Sequence, residues 1–346
     1  MACRSLVRKR SIETVLMVLL LAIGAGIVLW LLHKYGLANV VHILQRVRMV
    51  WIAAGILVYY AGVLVRAVKW HWLIARVGHQ VGFGGFLPMY CVISMAGTIT
   101  PMRSGESLAP FLFRKYLHAS IGGGFSVILL DRLFECVSLA LLMSIAVIYV
   151  LFSFNVSVLL ARGLMLSFAV LLIVIGLLFV LLRQQMWTTL ILKGLKSLME
   201  KRKAPAILLR VVQGLEREIH CFYVAVAHLS HHRVFVFLIL LTFLAWLFEI
   251  GAFYCIVRSV TDAPFLVIAS SQAIAAGIAL ASFIPGGIGS GTISFVYLFS
   301  LAGYSGTTAT AAALISPVVF LGSMFICGSL SAVILKRHSV PDQAQK

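Results

Sequence analysis

The sequence predicts an all-α polytopic membrane protein: about six full spans plus two re-entrant helical hairpins in an inverted repeat, or eight spans if both hairpins cross. Three observations predict it. Of 346 residues, 62% are hydrophobic and only 11% charged, and the mean hydropathy of +1.08 lies beyond ordinary soluble domains. Apolar stretches of about 20 residues, the length that crosses a hydrocarbon core, recur along the whole chain. Two of the stretches are broken in the same way, by a proline followed four residues later by glycine: Thr100-Pro101-Met102-Arg103-Ser104-Gly105-Glu106 and Ile284-Pro285-Gly286-Gly287-Ile288-Gly289. Proline removes a donor and glycine weakens a helix, so each break frees backbone polar groups inside an apolar layer. Such groups are tolerated only beside protein or a wet cavity, and matched breaks in two halves of a chain point to a transport site near the midplane.

The elements follow in order. Residues 14–32 form a first apolar stretch behind Arg4, Arg8, Lys9 and Arg10. Its core is too long for a secretory signal and no small-x-small cleavage site follows, so it is expected to be an uncleaved span with a cytoplasmic N-terminus. Residues 37–51 place Leu37, Val40, Val41, Leu44 and Val47 on one face and suit an interfacial amphipathic helix. Full spans are expected at 50–68, 120–152, 164–182, 234–257 and 307–335, and broken hairpins at 86–117 and 264–303. The stretch 183–233 carries Lys193, Lys196, Lys201, Arg202, Lys203, Arg210 and Arg217 and reads as a basic cytoplasmic loop.

Parity then fixes the path. If 86–117 crossed fully, Arg114 and Lys115 would lie outside; a re-entrant hairpin keeps them inside. The result is a single transmembrane domain over 1–346 with a first repeat at 50–152, entering from inside, and a second at 234–335, entering from outside. Aligning Pro101 on Pro285 also aligns Gly105 on Gly289 and brings Phe111-Leu112-Phe113 close to Phe295-Val296-Tyr297. Both termini are expected in the cytoplasm, although Lys34, Arg46 and Arg48 then fall on the outer side, against the positive-inside rule.

The net charge of +18 would suggest nucleic acid in a soluble protein. Here the cations collect at the ends of apolar segments, where topology and anionic lipid explain them, and no nucleic-acid partner is expected. Cys3, Cys91, Cys136, Cys221, Cys255 and Cys327 are scattered without a C-x-x-C and read as small buried hydrophobes. His228, His231 and His232 have helical ligand spacing but sit beside a basic stretch at a membrane boundary, so no metal or other cofactor is expected. No P-loop, G-x-S-x-G, H-E-x-x-H or dinucleotide fingerprint occurs in context, and the chain is not expected to be an enzyme.

Charge inside the apolar layer is the sharper signal, since each ionised group near the centre costs roughly 2.5 to 3.5 kcal/mol on insertion scales. Arg103 and Glu106 lie in the first break; Asp131, Arg132 and Glu135 interrupt the apolar run 125–149, with Asp131 and Glu135 one turn apart. One reading is a structural cluster, for instance Arg103 with Asp131 and Glu106 with Arg132. The other has Arg103 and Arg132 holding an anionic headgroup in a hydrated cleft while the carboxylates orient them or exchange a proton. Arg66 and Lys69 fall at the end of the 50–68 span beside Trp70, where snorkelling and anchoring compete with contact to a lipid phosphate. Glu249 either pairs with the cluster or sits protonated in a helix interface. The small residues of 272–282 permit close packing or a sliding gate.

The motifs Arg66-Ala-Val-Lys69-Trp70, Thr100-Pro101-x-Arg103-x-Gly105-Glu106, Leu130-Asp131-Arg132-Leu133 and Pro285-Gly286-Gly287-Ile288-Gly289 resemble, in order and spacing, the lysylphosphatidylglycerol synthase transmembrane-domain family, also called flippase-like. The resemblance runs over roughly 14–335. It implies a bacterial or archaeal inner-membrane protein that moves lipids between leaflets. Some members carry a cytoplasmic aminoacyl transferase, and stand-alone relatives are associated with hopanoid or lipid-linked glycan pathways. The chain is expected to be a stand-alone member, because it ends shortly after the last span. The second motif often continues to an acidic residue in the family; here Ser290, Gly291 and Thr292 follow Gly289.

The expectation is therefore a flippase or scramblase for a phospholipid or other polar lipid. Arg66, Lys69, Arg103, Glu106, Asp131, Arg132 and Glu135 would form the substrate site, and Pro101, Gly105, Pro285, Gly286, Gly287 and Gly289 would supply backbone groups and hinges. Its partners would be membrane lipids with an anionic or polar headgroup, and lipid-biosynthesis enzymes. The competing expectation is an intramembrane lipid-modifying enzyme, or an accessory subunit of a lipid, hopanoid or lipid-linked glycan biosynthesis complex.

Overall fold

The structure, a computed structural model, describes residues 26–154, 158–183, 206–229, 232–281 and 289–338, and these are helical with no strand among them. Helix α1 (Gly26–Tyr35) meets α2 (Leu37–Leu44) at 89°, with Gly36 at φ 81 in the bend. That bend turns α2 across the axis of α1, as an amphipathic helix beside a span would run. The long helices α3 (Met49–Arg76), α6 (Ile121–Ser153), α7 (Val158–Arg183), α9 (His232–Val260) and α12 (Gly306–His338) follow. All five contain stretches long and apolar enough to cross a membrane. Exposed Leu57, Leu64, Ile145, Leu166, Leu240, Ile326 and Leu330 give these helices the outward apolar surface that lipid demands.

Helix α3 differs from its expected bounds in a way that matters. The expected span stops at 68, where Arg66 and Lys69 end the apolar run; the helix continues to Arg76 and carries both cations in its interior. Helix α3 runs antiparallel to α9 through a seam of small residues. A Cβ on Gly55 would lie 3.2 Å from the Ala252 carbonyl oxygen, and one on Gly62 would lie 3.0 Å from Phe248 Cβ. At the far end of the seam the Arg48 side chain donates to the Arg258 carbonyl at 2.8 Å. Arg48 and Arg258 also share Asp262, at 3.5 and 2.6 Å, and Arg258 lies over the Trp51 ring. The cations that opposed the expected topology are thus partly tied to protein groups.

The first break turns the chain back on itself. Helix α4 (Phe83–Ile99) ends at Thr100, a 3₁₀ segment covers Pro101–Leu108, and α5 (Ala109–Leu117) returns along α6. Gly105 is pressed against Ala96, where a Cβ would collide with the backbone carbonyl, and Glu106 lies on Gly97. Helix α5 packs its Pro110 against Gly124 of α6. Val77, just past α3, lies beside Gly123 near the start of α6, so the hairpin enters and leaves at the same side. In the second half α10 (Phe265–Ala281) and α11 (Ser290–Leu301) are likewise folded together, Gly291 lying against Ala275 and Ala279. One apolar cluster joins Val257 and Ala263 near the end of α9 to Phe299 of α11 and Ala309 of α12. This hairpin therefore belongs to the end of the bundle opposite the first. Reciprocally, α4 packs on α12 and α10 packs on α6.

The stretch expected to be a basic loop contains a helix, α8 (Ala206–Leu229), packed on α6 and α3. Glu218 accepts the Gly122 N–H at 2.7 Å, placing a negative charge at the N-terminus of α6, where the helix dipole favours it. Buried Tyr223 and Val226 supply its apolar face. Residues 184–205 of that stretch, residues 14–25 of the first expected span with the basic residues before them, and Pro285, Gly286 and Gly287 lie outside the described residues.

Candidate functional site

The first break, α3, α6 and α9 converge on a single chain of ion pairs in the apolar layer. Arg66 lies about 25 Å along α3 from Met49 and about 15 Å from Arg76, taking 1.5 Å per residue. Its Nη2 reaches Glu249 Oε2 of α9 at 2.6 Å and its Nε reaches Glu135 Oε1 of α6 at 3.3 Å. Lys69, one turn on, forms ion pairs with Asp131 Oδ1 at 2.6 Å and Glu135 Oε1 at 3.5 Å, and donates to Thr242 Oγ1 at 3.1 Å. Arg132 Nη2 holds Asp131 Oδ2 at 3.0 Å and Glu106 Oε2 at 2.5 Å. Arg103 Nε closes the chain on Glu106 Oε1 at 2.9 Å.

The order Glu249, Arg66, Glu135, Lys69, Asp131, Arg132, Glu106, Arg103 alternates in sign and sums to zero. Such alternation is what lets eight charges sit in a low-dielectric layer, since each one has an opposite neighbour. The α-helical spacing of Arg66 and Lys69 sets both against the Asp131 and Glu135 face of α6, also one turn apart. Trp246 of α9 lies beside Arg66, its ring 5.7 Å from the guanidinium carbon.

Exposure divides the chain. Lys69, Asp131, Glu106, Arg66 and Glu135 have side chains 1–8% exposed, whereas Arg132, Glu249 and Arg103 stand at 23%, 32% and 33%. The two cations nearest the break are therefore the reachable ones. Arg132 also keeps its buried Nε without a hydrogen-bond partner. Arg103 is held at φ 54, in the left-handed region, a conformation that costs a non-glycine residue about 1–3 kcal/mol and persists at functional sites.

Several sequence expectations are revised by this geometry. Arg103 pairs with Glu106 rather than with Asp131, because the 3₁₀ turn sets residues three apart side by side while Lys69 and Arg132 already occupy Asp131. Glu106 pairs with Arg132, as expected. Arg66 and Lys69 are not interfacial anchors but members of the buried chain, and Glu249 joins it through Arg66. The backbone of the break is less free than expected: Thr100 Oγ1 accepts the Gly105 N–H at 2.6 Å and donates to the Ala96 carbonyl at 2.8 Å. Thr242, Trp246 and Gly97 were missed, the first two because α9 reads as a plain apolar span and the third because its role depends on Glu106 folding back. Pro101 opens the 3₁₀ segment. Gly289, at φ 103, caps α11, its N–H toward Thr292 Oγ1 at 3.4 Å. Among the described residues no group of three or more His, Cys, Asp or Glu is placed to hold a metal; His231 and the side chains of His228 and His232 lie outside them.

A family profile described as "Lysylphosphatidylglycerol synthase TM region" matches residues 17–328. A protein of Methanothermobacter thermautotrophicus named "UPF0104 membrane protein" is 23% identical over 309 residues, covering 87% of this chain and 90% of its own length.

Proposed function

Because the chain belongs to the lysylphosphatidylglycerol synthase TM region family, and its work therefore concerns membrane lipid, we propose that it moves a polar lipid between the leaflets of the cytoplasmic membrane. The observation that carries this reading is the unequal ion-pair chain. Both ends are about one-third exposed but they differ in sign: the chain ends in the acidic Glu249 at α9, which repels an anion, and in the reachable cations Arg103 and Arg132 beside a broken helix. A phosphate-bearing headgroup is met there by charge-assisted donors, the acyl chains staying in the bilayer. The inner members, Arg66, Lys69, Asp131 and Glu135, hold α3 and α6 together and keep the arginines in place.

The reciprocal packing of α4 on α12 and α10 on α6 supports an inverted repeat, in which two hairpins approach from opposite leaflets. Arg76, Arg114 and Lys115 gather on the side where α3 ends, which we assign to the cytoplasm. Glu106 and Asp131 are fully engaged with cations, and this favours transport over acid–base chemistry on the lipid.

The test is reconstitution in liposomes with fluorescent phospholipids and a membrane-impermeant quencher. Leaflet exchange above that of protein-free liposomes, with every lipid recovered unaltered by mass spectrometry, is the expected result. A covalently changed lipid would move the assignment to an enzyme, and absence of exchange from folded protein would remove the transport reading.

A further inference from the structure

Glu106 occupies the position that an anionic headgroup would take. Its two carboxylate oxygens bridge Arg103 Nε and Arg132 Nη2, the only partly exposed cations of the chain among the described residues. Its own side chain is 4% exposed, seated where Gly97 lacks a side chain: a Cβ there would lie 2.7 Å from Glu106 Cγ. The titratable groups facing it are Arg103 of its own segment, Asp131 and Arg132 of α6 and Tyr90 of α4. Arg66 of α3 and Glu135 of α6 stand next along the chain. None of the carboxylates can replace the arginines as a partner for Glu106.

Resting on the headgroup reading above, we propose that a phosphate-bearing lipid exchanges with Glu106 for the Arg103–Arg132 pair, and that Glu106 takes up one proton as it is displaced. Two physical constraints lead there. The pair is already bridged by the Glu106 carboxylate, so a second anion bridging the same groups must displace it, and Arg132 Nε, without a hydrogen-bond partner, offers that anion a second donor from the same guanidinium. A displaced carboxylate remaining in a buried cradle without its cations is unstable as an anion, and such a group neutralises instead. The exchange balances: a phosphodiester monoanion replaces one carboxylate at the arginines, one proton from water bonds to a Glu106 oxygen, and the net charge of the site is unchanged. One negative charge and one proton then enter the site together, so the exchange is electroneutral and responds to a pH gradient.

The experiment measures binding of short-chain phosphatidylglycerol to the detergent-solubilised full chain, with glycerol phosphate and inorganic phosphate as parallel ligands. A pH indicator in weak buffer follows proton uptake. The wild-type protein is expected to bind the lipid with uptake of about one proton, its affinity rising up to about tenfold per unit fall in pH. Glu106→Gln is expected to bind more tightly at neutral pH, without the proton and without the pH dependence. Arg103→Ala is expected to lose binding at every pH. Binding of lipid by wild type without proton uptake, or a Glu106→Gln variant with unchanged pH dependence, would overturn the exchange while leaving the headgroup site standing. No lipid binding by wild type would overturn both. Binding of glycerol phosphate but not of the lipid would overturn the lipid as the source of the anion. If Glu106→Gln does not fold, proton uptake by the wild type and appearance of a protonated-carboxyl stretch in its lipid-induced infrared difference spectrum decide the matter.

Discussion

At the residue scale, members of one ion-pair chain have separable duties. Lys69 is buried between Asp131 and Glu135, and removing it leaves carboxylates uncompensated, so Lys69→Met is expected to lower stability by about 3–5 kcal/mol. Thermal unfolding in detergent reads this as a large fall in the transition midpoint. Arg103 is one-third exposed, and Glu106 keeps Arg132 without it, so Arg103→Gln is expected to shift stability by no more than about 1 kcal/mol. Equal losses from the two substitutions would contradict the division. The sequence showed that charges at 103, 106, 131, 132 and 135 needed partners, because an apolar run makes them conspicuous. It did not show which partners: Arg66 and Glu249 are 183 positions apart, and only the antiparallel seam of Gly55 and Gly62 against α9 brings them together. Arg66 and Lys69 misled for a related reason. A charge at the apparent end of an apolar run looks the same whether the helix stops there or continues with a buried counter-charge.

At the scale of elements, glycine decides where the helices break. Gly105 faces the Ala96 carbonyl too closely for any side chain, and Gly105→Ala is expected to cost at least about 2 kcal/mol as the 3₁₀ segment is forced off α4. Gly289 caps α11 at φ 103, and Gly289→Ala is expected to cost about 1–3 kcal/mol through backbone strain alone. Midpoints indistinguishable from wild type would show that neither break is built on its glycine. The two breaks were legible from proline and glycine spacing, since few other residues permit those turns. The compensation by Thr100, whose hydroxyl takes over the Gly105 N–H, was not, because a threonine in an apolar run announces no partner. Helix α8 was hidden by charge. Its basic composition reads as loop, and only its contacts with α6 and the bond from Gly122 to Glu218 show what the helix is for.

For the whole molecule, the two hairpins enter from opposite ends of one antiparallel pair, α3 and α9. A topological prediction follows from Val77 lying beside Gly123. Single cysteines at His79→Cys and His118→Cys, in a background lacking native cysteines, should react with a membrane-impermeant thiol reagent from the same side. Asp262→Cys and Gly303→Cys should react from the opposite side. An eight-span chain would split each pair across the membrane. The central claim, that the reachable cationic end of the ion-pair chain receives a lipid headgroup, is tested most directly by leaflet exchange in liposomes containing Arg103→Gln beside wild-type protein of equal thermal stability. Loss of a charge-assisted contact is expected to slow exchange about tenfold to a hundredfold; exchange at the wild-type rate by the folded variant would contradict the account.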